Sequence, residues 1–367
     1  MFLACQLRPD RVLPTLLRVK GLAVWSTLLL ISLAGADASA RDAKTPLTVK
    51  VMTRNLYLGA NLDAIVQAKS AAEAFAAVEA GLAQVQANNF RTRAKAIARE
   101  IATTKPDFVG FQEAVLYRTQ TPADFTVTPA TAVALDYVKE LKQALAARKL
   151  KYRFVGVGSW TDAELPSGDP PRMDIRLNVR DALLVRTDRK IKILRAARGQ
   201  YATTTSLFGG FVVAKRGWVL ADASISGRRF RVITTHLESF NAESQIAQGK
   251  ELELAGGPAR TTLPTILLGD LNSRADGSGT PTYASLLAAG FHDAWPEARP
   301  NDIGLTCCHG DDLRELGGPF YSRIDYVLTR NGFRGVAAGI VGEEQRDRIS
   351  GLWPSDHAGV WVRLRLP

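Results

Sequence analysis

The sequence predicts a mixed α/β domain built in layers, and three observations carry that expectation. Segments with strand-like and helix-like periodicity alternate in some stretches, while strands follow one another in runs elsewhere. This favours layered sheets with outer helices over a purely parallel sheet. Hydrophobic residues make up 46% of the 367 residues and charged residues 23%, enough apolar side chain to offset the entropy of ordering the chain. Residues 41–367 contain no internal repeat, low-complexity linker or break in composition, and so read as a single domain. Collagen-like, coiled-coil and multi-span membrane architectures do not fit, because there is no short period and only one long apolar run. Three cysteines are too few for a disulfide scaffold.

The first forty residues read as a secretory signal peptide. Arg8, Arg11, Arg18 and Lys20 precede the apolar stretch 21–34, and Ala38-Ser39-Ala40 supplies small residues at an A-x-A cut site. The apolar run is shorter than the roughly 18–20 residues that span a bilayer, which argues against a permanent anchor. Leu3-Ala4-Cys5 has no apolar run before it and is discounted as a lipid-attachment site. Cleavage after Ala40 lowers the net charge from +11 to +9 and leaves Cys307 and Cys308 as the remaining thiols. The expectation is a protein exported to the periplasm or beyond, where a vicinal disulfide is permitted. The positive charge suits polyanionic partners such as nucleic acid or phospholipid headgroups, although it serves solubility equally well. No protein partner can be inferred.

Val49 and Val51 alternate with Thr48 and Lys50, so residues 47–53 read as a strand. The Ala-rich stretch 62–87 has weak periodicity and reads as a helix or an inserted flap. Ala94, Ile97, Ala98 and Ile101 share one helical face, and residues 107–111 form a short apolar strand. A helix is expected around 134–145, a strand at 152–157, and a surface loop at 159–178, which is rich in Pro, Gly and Asp. Strands are expected at 182–185, 191–194, 218–225 and 230–235. A helix over 242–255 stops at Gly256-Gly257-Pro258. A buried strand at 265–268, a helix at 283–289, an irregular segment at 292–320 and strands at 324–328, 336–341 and 359–364 complete the expectation.

Polar residues gather at the C-terminal ends of these strands, where a rigid sheet edge holds side chains together. They are Asn55, Gln112-Glu113, His236 in Thr235-His236-Leu237, Asp270 and Asn272 in Gly269-Asp270-Leu271-Asn272, Asp325 in Arg323-Ile324-Asp325-Tyr326, and Ser355-Asp356-His357. Each has an ordinary explanation alone: an Asp-x-Asn after a strand is commonly a turn or helix cap, and a single His is commonly structural. Six such signals in succession, holding two of the four histidines, point to a site.

This ordered set resembles the endonuclease/exonuclease/phosphatase superfamily, which includes exonuclease III-like repair enzymes, pancreatic deoxyribonuclease, sphingomyelinases and inositol polyphosphate 5-phosphatases. The resemblance runs from about Val49 to Leu366. It implies a four-layer α/β/β/α sandwich with two mixed sheets face to face, and Mg²⁺-dependent hydrolysis of a phosphoester with Mn²⁺ as the substitute ion. Glu113 matches the family's metal-binding glutamate, Asn55 its nearby asparagine and Asp356 a further acidic residue near the metal. Asp270 and Asn272 match the pair that orients the attacking water and contacts phosphate. Asp325 and His357 match a carboxylate–imidazole dyad. His236 matches a histidine of the deoxyribonuclease, sphingomyelinase and 5-phosphatase branches.

Elementary chemistry agrees with these roles. Mg²⁺ prefers hard oxygen ligands and keeps several waters, so one carboxylate with one or two helpers suffices to anchor it. A histidine held by a carboxylate has its tautomer fixed and its basicity raised. Asp270 and His357 both stay open as the group that takes the proton of water. Three alternatives stand beside a phosphodiesterase acting on nucleic acid or a phospholipid headgroup: a phosphomonoesterase, a phosphate-binding protein without catalysis, and a zinc hydrolase centred on Cys307, Cys308 and His309. Arg172, Arg176 and Arg180 are compatible with a nucleic-acid backbone. Phe208-Gly209-Gly210-Phe211-Val212-Val213 reads either as an apolar hairpin exposed at a membrane surface or as a buried strand. The stretch between Asn55 and Arg93 is expected beside the active-site edge, and residues 304–320 either to enter the substrate groove or, as is favoured, to cap the sheet edge.

Overall fold

The computed structural model describes residues 45–168, 170–207, 210–318 and 320–367. The signal-peptide expectation for 1–40 lies outside the described residues. Along the chain, β1 (Leu47–Asn55), the helices α1 (Asp63–Val66), α2 (Ala71–Ala87) and α3 (Phe90–Thr104), and β2 (Phe108–Gln112) come first. Next are β3 (Leu116–Gln120), β4 (Ala132–Asp136), α4 (Tyr137–Ala147), β5 (Tyr152–Ser167) and β6 (Met173–Arg186). Then follow β7 (Lys192–Gln200), β8 (Thr205–Leu207), β9 (Val212–Ala214), β10 (Gly217–Ile225), β11 (Arg228–His236) and α5 (Ala242–Glu251). The chain ends with β12 (Thr265–Asp270), α6 (Thr282–Ala288), β13 (His292–Asp293), α7 (Ala294–Ala298), β14 (Asp325–Arg330), β15 (Arg334–Val341) and β16 (Gly359–Leu366).

Strand alternation decides which layer each side chain joins. On β1, Val49 and Val51 enter the core between the sheets, while Met52 faces the outer helices. The first sheet runs β15-β16-β1-β2-β6-β3-β4 with β5 also paired to β6, and the second runs β13-β14-β12-β11-β10-β7. β1 pairs parallel with β2, and β11 parallel with β12; the other pairings are antiparallel, so both sheets are mixed. Between the sheets, Val51, Phe108 and Val362 of the first meet Val232, Ile266 and Leu268 of the second. Outside the first sheet, Ile97 and Ile101 of α3 and Leu141 of α4 pack with Val109 and Leu184. Outside the second, Leu252 and Leu286 pack with Ile233 and Leu267. The result is the four-layer α/β/β/α sandwich. The sheets approach most closely at Gly110, where a Cβ atom would lie 2.5 Å from Thr234 Oγ1.

Several local expectations are corrected. Residues 159–178 are not a surface loop: they are most of the β5–β6 hairpin, paired from Tyr152↔Arg186 to Ser167↔Met173. The helix expected around 134–145 starts at Tyr137, because Asp136 caps it by accepting from the backbone of Val138 and Lys139, and residues before it pair as β4. The irregular segment 292–320 contains β13 and the short α7. The Ala-rich stretch is helical in two pieces, α1 and α2. Among the described residues, no helix is long and apolar enough to cross a membrane.

Candidate active site

The strand-end residues converge on one edge of the sandwich. Asn55, His236 and Asp270 are the last residues of β1, β11 and β12, and Glu113 follows β2 directly. Asp325 departs from the strand-end expectation: it opens β14. β14 runs antiparallel to β12, so Asp325 pairs with Asp270 and reaches the same edge. Asp356 and His357 lie just before β16.

Asp270 Oδ2 is the meeting point. Asn55 Nδ2 donates to it at 3.0 Å and reaches Glu113 Oε1 at 3.2 Å. His357 Nδ1 lies 3.8 Å from the same oxygen and hydrogen-bonds Asp325 Oδ2 at 2.9 Å. The Asn272 backbone N–H donates to Asp270 Oδ1 at 2.9 Å. The Leu58 backbone N–H holds Glu113 Oε2 at 2.6 Å, and Ser355 Oγ joins Asp356 Oδ1 to the Asn55 carbonyl. Glu113 (φ 56°) and Asn272 (φ 49°) both sit in the left-handed region, a cost that the surrounding hydrogen bonds sustain.

Electrostatics separates the groups. Burial and the adjacent Asp325 carboxylate raise Asp270 to about 7. Burial raises Asp356 to about 6, with His357 opposing and Glu113 reinforcing the shift. Burial lowers His357, but Asp325, Asp356 and Asp270 outweigh it and hold the ring well above its ordinary value. His236 moves the other way, lowered by burial and then by Arg216 and His357. Its ring is therefore neutral, and its 3.6 Å approach to Asp270 is a contact rather than an ion pair. Arg216 Nη1 lies 2.9 Å from His236 Nδ1 and Asn272 Nδ2 lies 3.1 Å from Nε2; both partners are donors, and a neutral ring accepts at one of its two nitrogens.

Two arginines supporting this edge escaped the sequence reading. Arg216 is buried against His236 and Ser239. Arg93 is fully buried and donates to the carbonyls of Leu56, Tyr57, Asn88 and Pro354, tying the segment after β1 to the one before Asp356. The second had a visible signal, since Arg93 shares the helical face of Ile97 and Ile101. Gln112, in contrast, braces the sheets by bonding Thr53 and Thr234.

The donor set suits a hard cation. Glu113 and Asp356 are carboxylates that no Lys or Arg pairs with among the described residues, and Asn55 adds an amide. Asp270, Asp325 and His357 also offer ligand atoms within 4.8 Å of one another. The zinc arrangement at 307–309 is not assembled. Cys307 and Cys308 are joined as a disulfide, which removes the thiolates, and His309 stacks on Trp353 at 4.0 Å. Cys308 Sγ instead lies 4.0 Å from His357 Nε2. Arg176 and Arg180 are engaged by Asp162 and Asp136.

A cleft of about 450 Å³ opens from this edge, reaching Glu113, Asp356 and Arg216 at one end. Its walls include α1 and α2, so the segment between Asn55 and Arg93 does lie beside the site. Phe208 and Gly209 lie outside the described residues; β8 and β9 on either side of them pair antiparallel, and Phe211 is 90% exposed.

The endonuclease/exonuclease/phosphatase family model matches residues 81–357, most of the chain. No curated protein matches at a significant level. Solved structures are similar in fold. A family member from Bacteroides thetaiotaomicron aligns with a TM-score of 0.56 at 17% identity, over 88% of this chain and 99% of its own. A mannosyl-6-phosphatase from the same organism aligns at 0.53 and 17% identity, over 86% and 99%. D. rerio TDP2, solved with a single-strand DNA product, aligns at 0.51 and 17% identity, over 86% and 98%. At such identity the likeness speaks for the fold alone. The family match together with the fold places the chain: it belongs to the endonuclease/exonuclease/phosphatase family.

Proposed function

We propose that this protein is an exported, Mg²⁺-dependent phosphoesterase that hydrolyses a phosphodiester at the edge formed by Asn55, Glu113, His236, Asp270, Asn272, Asp325, Asp356 and His357. The observation that carries the reading is the convergence of Asn55, Glu113, Asn272, Asp325 and His357 around Asp270 at one sheet edge. Asp270, raised to about 7, is poised to accept a proton near neutral pH, while His357 is held charged by its carboxylate neighbours.

Glu113, Asp356 and Asn55 would hold the ion, which when bound neutralises phosphate charge and stabilises the departing oxygen. Asp270, aimed by Asn55 and the Asn272 backbone, takes a proton from water as its oxygen forms a bond to phosphorus. The bond from phosphorus to the leaving oxygen breaks on the opposite side; that oxygen takes a proton from solvent water, and Asp270 returns its own to solvent. His357, oriented by Asp325, and His236 with Asn272 donate to the phosphate oxygens. A diester suits the charge available. Arg216 is the single basic side chain among the described residues lining the cleft, and Glu238 lies 3.7 Å from its Nε. Export rests on the pattern of residues 1–40, which is tested by sequencing the N-terminus of the protein recovered outside the cytoplasm.

Purified protein tests the activity on plasmid DNA, sphingomyelin vesicles and a bis-aryl phosphodiester, each with Mg²⁺ and with chelator. Turnover of at least one, with Mg²⁺ only, is expected. Silence on all three with no Mg²⁺ binding would replace this reading with that of a non-catalytic binding protein.

A further inference from the structure

We infer that the phosphoester taken by this site carries an apolar chain, an alkyl or acyl group, and that the cleft beside Glu113 and Asp356 receives it. The inference rests on the phosphoesterase reading above and adds the substrate class. The cleft, about 450 Å³, falls in the range that encloses a small ligand. Glu113, Asp356 and Arg216 are part of its lining, so a phosphate held by the charged residues leaves its substituent in the cleft.

The walls beyond that edge are mostly aliphatic, although Asn61, Asp63, Thr161 and Asp311 also line the cleft. Ile65 and Leu82 come from α1 and α2 on one side, and Leu165, Leu177 and Val179 from the β5–β6 hairpin on the other. These five side chains are only partly buried, so water contacts apolar surface that a chain would cover. The alternation Ile175, Leu177, Val179 along β6 aims every second residue into the cleft, while Arg176 between them and Arg180 after them bond Asp162 and Asp136. A nucleic-acid backbone needs cations along its path, and a sugar needs a polar lining. Arg216 is the one cation lining this cleft. Phe240, which lines the cleft, is 40% exposed, and Phe211, just before β9, is 90% exposed. An alkyl phosphoester matches one charged end and one apolar wall; it would come from a free amphiphile or from a lipid in a bilayer.

Calorimetry with Mg²⁺ present compares methyl phosphate with octyl phosphate, below the micellar range. Each methylene taken out of water strengthens binding roughly threefold to fourfold, so octyl phosphate should bind at least on the order of 10² tighter. Leu82→Gln and Leu177→Gln, on opposite walls, should each cut that ratio by on the order of tenfold, in proteins whose thermal melting remains cooperative. Equal binding of the two phosphates by the wild type overturns the inference, even if neither variant folds. Hydrolysis of methyl 4-nitrophenyl phosphate in the same preparation separates the two failures. Mg²⁺-dependent cleavage with equal binding keeps the phosphoesterase and discards the chain. A short DNA strand that displaces octyl phosphate more strongly than methyl phosphate does would also overturn it, in favour of nucleic acid. Sedimentation with phosphatidylcholine–phosphatidylglycerol vesicles distinguishes the sources. Capture that Phe211→Ser abolishes supports a bilayer lipid, and octyl binding without capture supports a free amphiphile.

Discussion

At the scale of single residues, Asp270 and His357 share one environment and are driven to different protonation states by it. His357→Ala removes the charged partner that Asp325 orients, and kcat/KM should fall on the order of 10²–10⁴-fold, the usual cost of a lost acid–base group. A rate close to wild type would remove His357 from the mechanism. Asp181 gives a separate test of burial. It accepts from Trp160 Nε1 at 2.7 Å, and burial raises it to about 7, with Trp160 and Arg216 opposing. The folded state then holds this proton between roughly pH 4 and 7 while the unfolded state releases it. Stability accordingly falls as pH rises through that window, by on the order of 4 kcal/mol once the carboxylate is fully charged. Asp181→Asn should melt higher than wild type at pH 8.5, and the gap should close near pH 4; a gap independent of pH contradicts the assignment. Most of the site was legible at this scale, because its carboxylates, asparagines and histidines stand beside apolar strands. Arg216 was not, since an Arg after Lys215 at the start of a strand reads as surface charge. The register Trp218↔Thr235 places it next to His236, and that register is a property of the pairing rather than of the residue.

At the scale of elements, the β5–β6 hairpin shows how composition can hide periodicity. Met173, Ile175, Leu177 and Val179 alternate with Asp174, Arg176, Asn178 and Arg180, a period of two that marks a strand. Pro170-Pro171 and Gly168 beside them carry the signature of a turn and drew the whole stretch into a loop reading; they are in fact the hairpin's connection. The shorter β3 and β4 depend on pairing with β6 or with each other that single-sequence periodicity does not carry, and β8 and β9, three residues each, are too short for a period to show. The central strands were legible because both of their faces are buried. Their closeness has a measurable consequence at Gly110, whose Cβ position lies 2.8 Å from Thr234 Cβ as well as 2.5 Å from Oγ1. Gly110→Val should lower unfolding free energy in denaturant by about 1–3 kcal/mol through overpacking. An unchanged midpoint and slope would show that the sheets are not in contact there.

At the scale of the whole molecule, the two mixed sheets bring six separate sequence blocks to one edge, from Asn55 near the start of the domain to His357 near its end. The order of those blocks was visible in the sequence; the cleft beside them was not, because its two walls come from segments roughly a hundred residues apart. A cation bound between Glu113 and Asp356 in the folded state alone should stabilise the molecule by mass action, by about 2.7 kcal/mol at a hundredfold excess over Kd. Chelation should therefore lower the melting temperature of the wild type and leave Glu113→Gln unaffected; an identical shift in both would move the ion elsewhere. The most direct test of the central claim is hydrolysis of a bis-aryl phosphodiester by chelator-treated protein as Mg²⁺ is titrated back, in wild type and in Glu113→Gln. The account predicts that turnover returns with Mg²⁺ in the wild type and not in the variant. Turnover that persists without the ion, or that returns equally in Glu113→Gln, would contradict it.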